Sequence, residues 1–305
     1  MRKAFSDALV RLAQQDPRVL LITGDHGYEL FDGIRKHCPD QFINAGIAEQ
    51  NMVGMAAGLA RTGFRPFVYG LAAFVPVRVL EQIKLDVAHD GLPVVFLGDG
   101  AGFVYSTLGT SHQSTEDIAC TRAVPQLTVL SPADRFEMTA CMDLAYALEG
   151  PVYMRMGKSD RGDVHGAALS GLKAGQLLRV RAGRPDRPAL LATGSMVRTA
   201  LDIAEQHLDA TVWSLPSIKP LDAAAVCRVA RESPALVVLE EHSVLGGLGA
   251  AVAEITSASA PCRVLRIGVP DRFSEHCGSY AYLLREHGLD TGAVQVRIDE
   301  FIAAL

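Results

Sequence analysis

Asparagine occurs only twice in the 305 residues, at Asn44 and Asn51, so any motif that needs this amide beyond residue 51 is excluded. Cysteine is sparse too. Cys38, Cys120, Cys141, Cys227, Cys262 and Cys277 are scattered, and no CxxC pair brings two of them together. A zinc ribbon or a disulfide framework has nothing to build on, and reduced core thiols are the expected state. No apolar run approaches the ~18 residues of a membrane-spanning helix. The opening Met1-Arg-Lys-Ala-Phe-Ser-Asp-Ala-Leu9 lacks the apolar stretch of a signal peptide. These absences predict a soluble, cytoplasmic protein. Nor is there an excess of positive charge: 29 Lys and Arg stand against 34 Asp and Glu, a net charge of −5. That argues against nucleic acid or an anionic membrane as a partner.

What the sequence does have is alternation. Its length suits about two domains. Strand-like runs occur at Val19–Ile22, Pro66–Tyr69, Leu92–Leu97, Leu127–Leu130, Val152–Met156, Ala189–Ala192, Thr211–Leu215, Ala235–Leu239 and Arg263–Gly268. Several are apolar almost throughout, as strands covered on both faces of a parallel sheet must be. Between them lie stretches of helical period, with Phe5, Leu9 and Leu12 on one face, Val79, Ile83 and Val87 on a second, and Phe136, Ala140 and Leu144 on a third. The expected fold class is α/β, two α/β domains with mainly parallel sheets. From Gly157 to Pro188 the rhythm breaks into a charged stretch bearing Gly and Pro, which reads as a connection. The expected division is a first domain over residues 1–165, a linker over 166–188 and a second domain over 189–305.

The most informative segment is Asn44-Ala-Gly-Ile-Ala-Glu-Gln-Asn-Met-Val-Gly-Met-Ala-Ala-Gly-Leu-Ala60. Gly46 permits a tight turn. Gly54, Ala56, Ala57, Gly58 and Ala60 make a helix slim enough for close backbone packing. Glu49 falls in the first turn, where a carboxylate on its own serves the helix dipole. Taken with its neighbours, it resembles more than a dipole partner. Gly-Ile-Ala-Glu-Gln-Asn followed by a small-residue helix resembles the pyrimidine-binding domain of transketolases and of their relative deoxyxylulose-phosphate synthase. The resemblance implies that Glu49 meets the aminopyrimidine ring nitrogen of thiamine diphosphate, promoting the tautomer that activates the cofactor.

Other segments share the resemblance. Arg2-Lys-Ala-Phe-Ser-Asp-Ala-Leu9 is similar to the opening of the same domain, and Thr23-Gly-Asp25 to its first strand end, which implies Asp25 at the cofactor. Leu71-Ala-Ala-Phe-Val-Pro-Val-Arg-Val-Leu-Glu-Gln-Ile83 resembles the segment whose aromatic stacks on the aminopyrimidine. Phe74 matches that aromatic, with one extra residue before Arg78, which the resemblance also places at the cofactor. From the residues alone, Phe74 fits a core aromatic equally well. His112, in Gly109-Thr-Ser-His-Gln113, matches a His that faces the substrate's reacting oxygens. Arg155, a charge inside the apolar Val152–Met156, needs a partner; the resemblance implies that it binds a substrate phosphate, and Arg2 another. Beyond residue 188, Ala192-Thr-Gly-Ser-Met-Val197, Ser217-Ile-Lys-Pro-Leu-Asp222, the run Glu240–Gly249 and Gly268-Val-Pro-Asp-Arg-Phe273 resemble the transketolase C-terminal domain. That domain's implied role is dimerisation, with Glu240, Glu241 and His242 structural. His26 also reads as structural or peripheral.

The missing asparagine now matters. The metal motif of the superfamily is GDG followed some way on by Asn, and Gly98-Asp-Gly100 has no Asn after it. It reads as a turn after Leu97, and no metal ligand is expected in this chain. The resemblance therefore implies the second half of a split transketolase. A partner chain carries GDG…Asn and holds the diphosphate and Mg2+, and two copies of each chain form an α2β2 assembly. The substrate segment departs from the family: Leu108 takes the place of an Asp that contacts sugar hydroxyls, and Glu29 that of a phosphate-binding Ser. The implied reaction is transfer of a two-carbon ketol unit from a ketose or its phosphate to an aldehyde. The alternatives are a decarboxylating relative, of the deoxyxylulose-phosphate synthase or 2-oxo-acid dehydrogenase β type, and a noncatalytic subunit.

Overall fold

In the computed structural model, which describes residues 1–158 and 160–305, the alternation becomes two sheets. The first half of the chain supplies β1 (Val19–Thr23), β2 (Phe42–Asn44), β3 (Arg65–Leu71), β4 (Val95–Asp99), β5 (Thr128–Leu130) and β6 (Val152–Met156). The second half supplies β7 (Leu178–Arg181), β8 (Ala189–Ala192), β9 (Val212–Ser214), β10 (Ser217–Lys219), β11 (Leu236–Ser243) and β12 (Val264–Val269). One sheet runs β10-β5-β6-β4-β3-β1-β2, the other β12-β11-β8-β9-β7. The pairings are parallel except β10 with β5 and β7 with β9. Every residue of β1, β4 and β6 is buried, as helices on both faces require.

The path of the chain positions the site. β2 pairs on one side of β1 and β3 on the other, so the strand order reverses at β1. Loops leaving parallel strands on either side of such a reversal open a crevice beyond the carboxyl ends. Here they are residues 24–31, 45–48 and 72–79, joined by the long segment 100–116 after β4.

Several elements differ from the sequence expectation. β7 lies inside the supposed linker, where Leu178-Arg-Val-Arg181 alternates with period two and pairs with β9 at the edge of the second sheet. β10 crosses from the second half of the chain into the first sheet, so Val129 and Ile118 share a buried cluster with Ile218 and Val226. In the helix Arg135–Ala147, Met138, Cys141, Met142 and Ala145 point inward, whereas Phe136 and Leu144 are only half-buried. The Asp134 carboxylate starts that helix by accepting the Phe136 and Glu137 N–H groups, and the Glu137 carboxylate returns to the Ala133 N–H at 2.7 Å. The other two predicted faces are buried throughout. All six cysteines are free, but Cys277 is exposed and not in a core. Among the described residues no helix is long and apolar enough to cross a membrane.

Candidate active site

Gly46 adopts φ +74, a left-handed conformation open to glycine, and its N–H is held at 2.9 Å by the Asn44 side-chain oxygen. This turn delivers Glu49 as the first residue of the helix Glu49–Arg61. Only 6% of Glu49 is exposed. Its carboxylate lies 3.1 Å from Nη1 of Arg78, which comes from the loop after β3. The Arg78 guanidinium sits 3.9 Å from the centre of the Phe74 ring. Phe74 in turn meets His112 edge-on, with ring centres 5.3 Å apart. Nδ1 of His112 is 3.0 Å from the Ser111 hydroxyl. Three loops thus bring Glu49, Arg78, Phe74 and His112 into one unbroken line. Chemically this is a buried carboxylate beside an aromatic face, with an imidazole at the far end.

A second cluster forms at the ends of β1, β3 and β4. Asp99 is buried and accepts hydrogen bonds from the Tyr69 hydroxyl at 2.6 Å and the Tyr105 hydroxyl at 3.1 Å. Burial beside this carboxylate pushes both phenols well above their ordinary range. Nε of Arg2 lies 3.6 Å from Asp99. Gly98-Asp-Gly100 is the end of β4 and the turn after it, and its acid is occupied by two tyrosines. Asp25 is exposed just beyond β1. His26, read from the sequence as peripheral, packs beside Tyr69 and leaves a buried Nε2 with no hydrogen-bond partner. Burial lowers its pKa, so the ring stays neutral. Glu29 shares a shallow groove with Arg2 and Lys3, and Leu108 is 54% exposed.

Arg155 requires correction. It is 1% exposed at the end of β6, with its guanidinium committed to partners inside the protein rather than open to a phosphate. Its Nε donates to Asp117 at 2.8 Å, and its Nη2 to the Ser114 carbonyl at 3.3 Å and the Glu241 carbonyl at 2.7 Å. The charge does have the partner its burial demanded, but that partner is Asp117. The guanidinium ties the first domain to the second.

Residues 1–162 match the model of the transketolase pyrimidine binding domain, and residues 176–294 that of the transketolase C-terminal domain. The chain is 36% identical to an apulose-4-phosphate transketolase subunit of Phocaeicola vulgatus, across 99% of this chain and 97% of that one. It is 34% identical to the 6-deoxy-6-sulfo-D-fructose transketolase subunit SqwH of a Clostridium species, across 95% and 90%. Identity to 1-deoxy-D-xylulose-5-phosphate synthase of Leptothrix cholodnii is 38%, over 99% of this chain but 48% of that enzyme. A solved split gene transketolase, an inactive beta4 tetramer, has a TM-score of 0.87 at 34% identity and covers 98% of this chain and 96% of its own. Transketolase of Campylobacter jejuni, at 19% identity and a TM-score of 0.77, shares the fold over 99% of this chain and 46% of its own. The chain thus spans nearly all of its subunit-type relatives and about half of the single-chain ones. With both domain models matched in order, and the first over its crevice residues, the chain belongs to the transketolase family.

Proposed function

We propose that the chain is one subunit of a heteromeric transketolase, which transfers a two-carbon ketol unit from a ketose donor to an aldehyde acceptor with thiamine diphosphate as cofactor. The observation that carries this reading is the line from Glu49 through Arg78 and Phe74 to His112 at the carboxyl edge of the first sheet. These residues suit the aminopyrimidine end of the cofactor: a buried carboxylate for a ring nitrogen and a flat aromatic for the ring face. Once bound, the cofactor supplies a carbon centre that stabilises the negative charge released beside a carbonyl. Glu49 holds the proton at the ring nitrogen. Phe74 packs the ring once the half-exposed Arg78 swings off its face. His112, oriented by Ser111, moves a proton at the substrate oxygens. Arg2, 3.6 Å from Asp99, is the residue of this set that would meet an anionic group of the donor. The diphosphate and Mg2+ belong to a partner chain, because no asparagine follows Asn51 and Asp99 is held by two tyrosines.

Glu49→Ala in the reconstituted two-chain enzyme is expected to cost ~100-fold or more in turnover. Activity within a few-fold of the parent would instead make this a noncatalytic subunit. The synthase relatives favour a second reading, a decarboxylating enzyme. Release of CO2 from pyruvate, against release of aldehyde from a ketose phosphate, separates the two.

The acceptor follows from Leu108 and Glu29. An apolar Leu108 leaves a sugar hydroxyl without an acceptor, at about 1–3 kcal/mol, and Glu29 repels phosphate. Two subunit-type relatives are named for unusual sugars, which supports a specialised sugar substrate. Ribose 5-phosphate should be turned over weakly beside a less hydroxylated or unphosphorylated aldehyde in a substrate panel. Ribose 5-phosphate as the best acceptor, with Glu29→Ser silent, would defeat this expectation.

A further inference from the structure

We propose that Glu241, at the end of β11 in the second domain, is a positioning residue for the segment 100–116 that presents Leu108 and His112. The turnover and C2-exchange arms of its test rest on the transketolase reading, and the loop-exchange arm does not.

The Glu241 side chain is 1% exposed and reaches across the domain boundary. Its Oε1 accepts the Phe103 N–H at 2.7 Å, and its Oε2 accepts the hydroxyls of Ser195 and Tyr280. At Gly102, with φ +68, a Cβ would come within 2.2 Å of Oε1, so the backbone of the segment is fitted directly against this carboxylate. Gly102 and Ser114 exchange N–H···O bonds of 2.7 and 3.1 Å, which closes the segment into a loop with its neck at Glu241. The second domain grips the same neck at further points. The Ser243 N–H donates to the Thr115 carbonyl at 2.7 Å, and the Ser274 hydroxyl donates to Gln113 Oε1 at 2.9 Å. Phe103 stacks on His287 with ring centres 4.8 Å apart.

A carboxylate is suited to this position. Its hydrogen bonds are charge-assisted and roughly twice as strong as neutral ones, and it converges donors from both domains on one point. Without it, the buried Phe103 N–H loses its acceptor and the neck opens. His112 directly precedes Gln113, which the neck holds, so a shift there moves the imidazole relative to Phe74. The second domain therefore sets the geometry of the substrate loop.

The test uses three variants in the reconstituted two-chain enzyme, with a fourth in reserve. Glu241→Ala removes the acceptor. Glu241→Gln keeps an oxygen for the Phe103 N–H and an NH2 for the hydroxyl oxygens. Tyr280→Phe removes one donor only, and together with Ser195→Ala it replaces Glu241→Ala should that variant not fold. Amide hydrogen exchange over residues 103–114 should speed up in Glu241→Ala while β1 and β4 stay protected, and Glu241→Gln should restore most of the protection. Exchange of the cofactor's C2 proton, which depends on Glu49, should keep its parental rate per bound cofactor. The kcat/KM for the ketose donor should fall about ten- to hundredfold, as misplaced catalytic groups cost, with Tyr280→Phe intermediate. Unchanged loop exchange overturns the proposal. So does a loss shared equally by C2 exchange and turnover that tracks a lowered Tm. Should the parent enzyme prove inactive on ketoses, the functional reading fails and loop exchange alone decides on Glu241.

Discussion

His242 and Glu240 share one buried corner and titrate in opposite senses. Nδ1 of His242 donates to the Ser243 carbonyl at 2.8 Å, and its Nε2 accepts the Ala119 N–H at 3.2 Å. This pairing suits the neutral ring, and burial lowers its pKa to about 4 from 6.5. The neutral ring's contribution to stability is complete above pH 6.5 and is lost as pH falls through 4. Burial raises Glu240 from 4.5 to about 7, even though its carboxylate accepts the Leu248 and Gly249 N–H groups. Its contribution is complete below pH 4.5 and is lost as pH rises through 7. Between pH 4.5 and 6.5 the two effects oppose each other, each on the order of 3 kcal/mol in full. Each single variant should therefore unmask its neighbour. His242→Asn should lose stability relative to the parent as pH rises through this window, and Glu240→Gln should lose it as pH falls. Urea denaturation across the window reads both slopes.

The same scale shows what a sequence discloses. That Glu49, Phe74, Arg78 and His112 come together was legible because each sits in a motif whose order survives in one dimension. Arg155 announced only that it needed a partner. Nothing in the chain before Asp117 indicates that this acid faces it across 38 residues. Glu241 looked structural for a similar reason, since the loop it holds lies 138 residues earlier at Phe103.

At the scale of elements, the long apolar strands declared themselves because burial on both faces leaves no room for polar residues. β2, β7 and β10 did not. They have three, four and three residues, and their strand character comes from the neighbour each one pairs with. β10 also brings Lys219, whose Nζ donates to the Arg122 carbonyl at 3.0 Å and to the Val124 carbonyl. These oxygens lie at the end of the helix Asp117–Arg122, where carbonyls lack partners within the helix. Lys219→Met should destabilise the chain by about 1–3 kcal/mol, seen as a lower urea midpoint at unchanged slope. An unchanged midpoint would mean that water serves these carbonyls as well.

At the scale of the whole molecule, the helix Glu49–Arg61 leaves one side bare. Added side-chain atoms at Gly54 or Gly58 would meet nothing within 4 Å, and nearby Ile47 is 80% exposed. A slim, open helix beside the crevice suits close packing by a further subunit, as the proposed two-chain assembly would need. Purified alone, the chain should show negligible affinity for thiamine diphosphate and Mg2+ by calorimetry, and adding the partner chain should restore micromolar binding. Micromolar binding by this polypeptide on its own would sink the two-chain reading.

The excursion of β10 into the first sheet bears on how such a gene can be cut and recombined. A break between residues 165 and 189 would leave β5 with a bare row of N–H and C=O groups, and would strand β10 on a fragment that has no place for it. Fragments severed there should stay soluble only when made together, each acting as chaperone to the other's raw edge. Recombination that exchanges one domain alone would carry off a border strand of its neighbour. Although the chain carries two recognisable modules, the shared sheet should make it fold as a single unit.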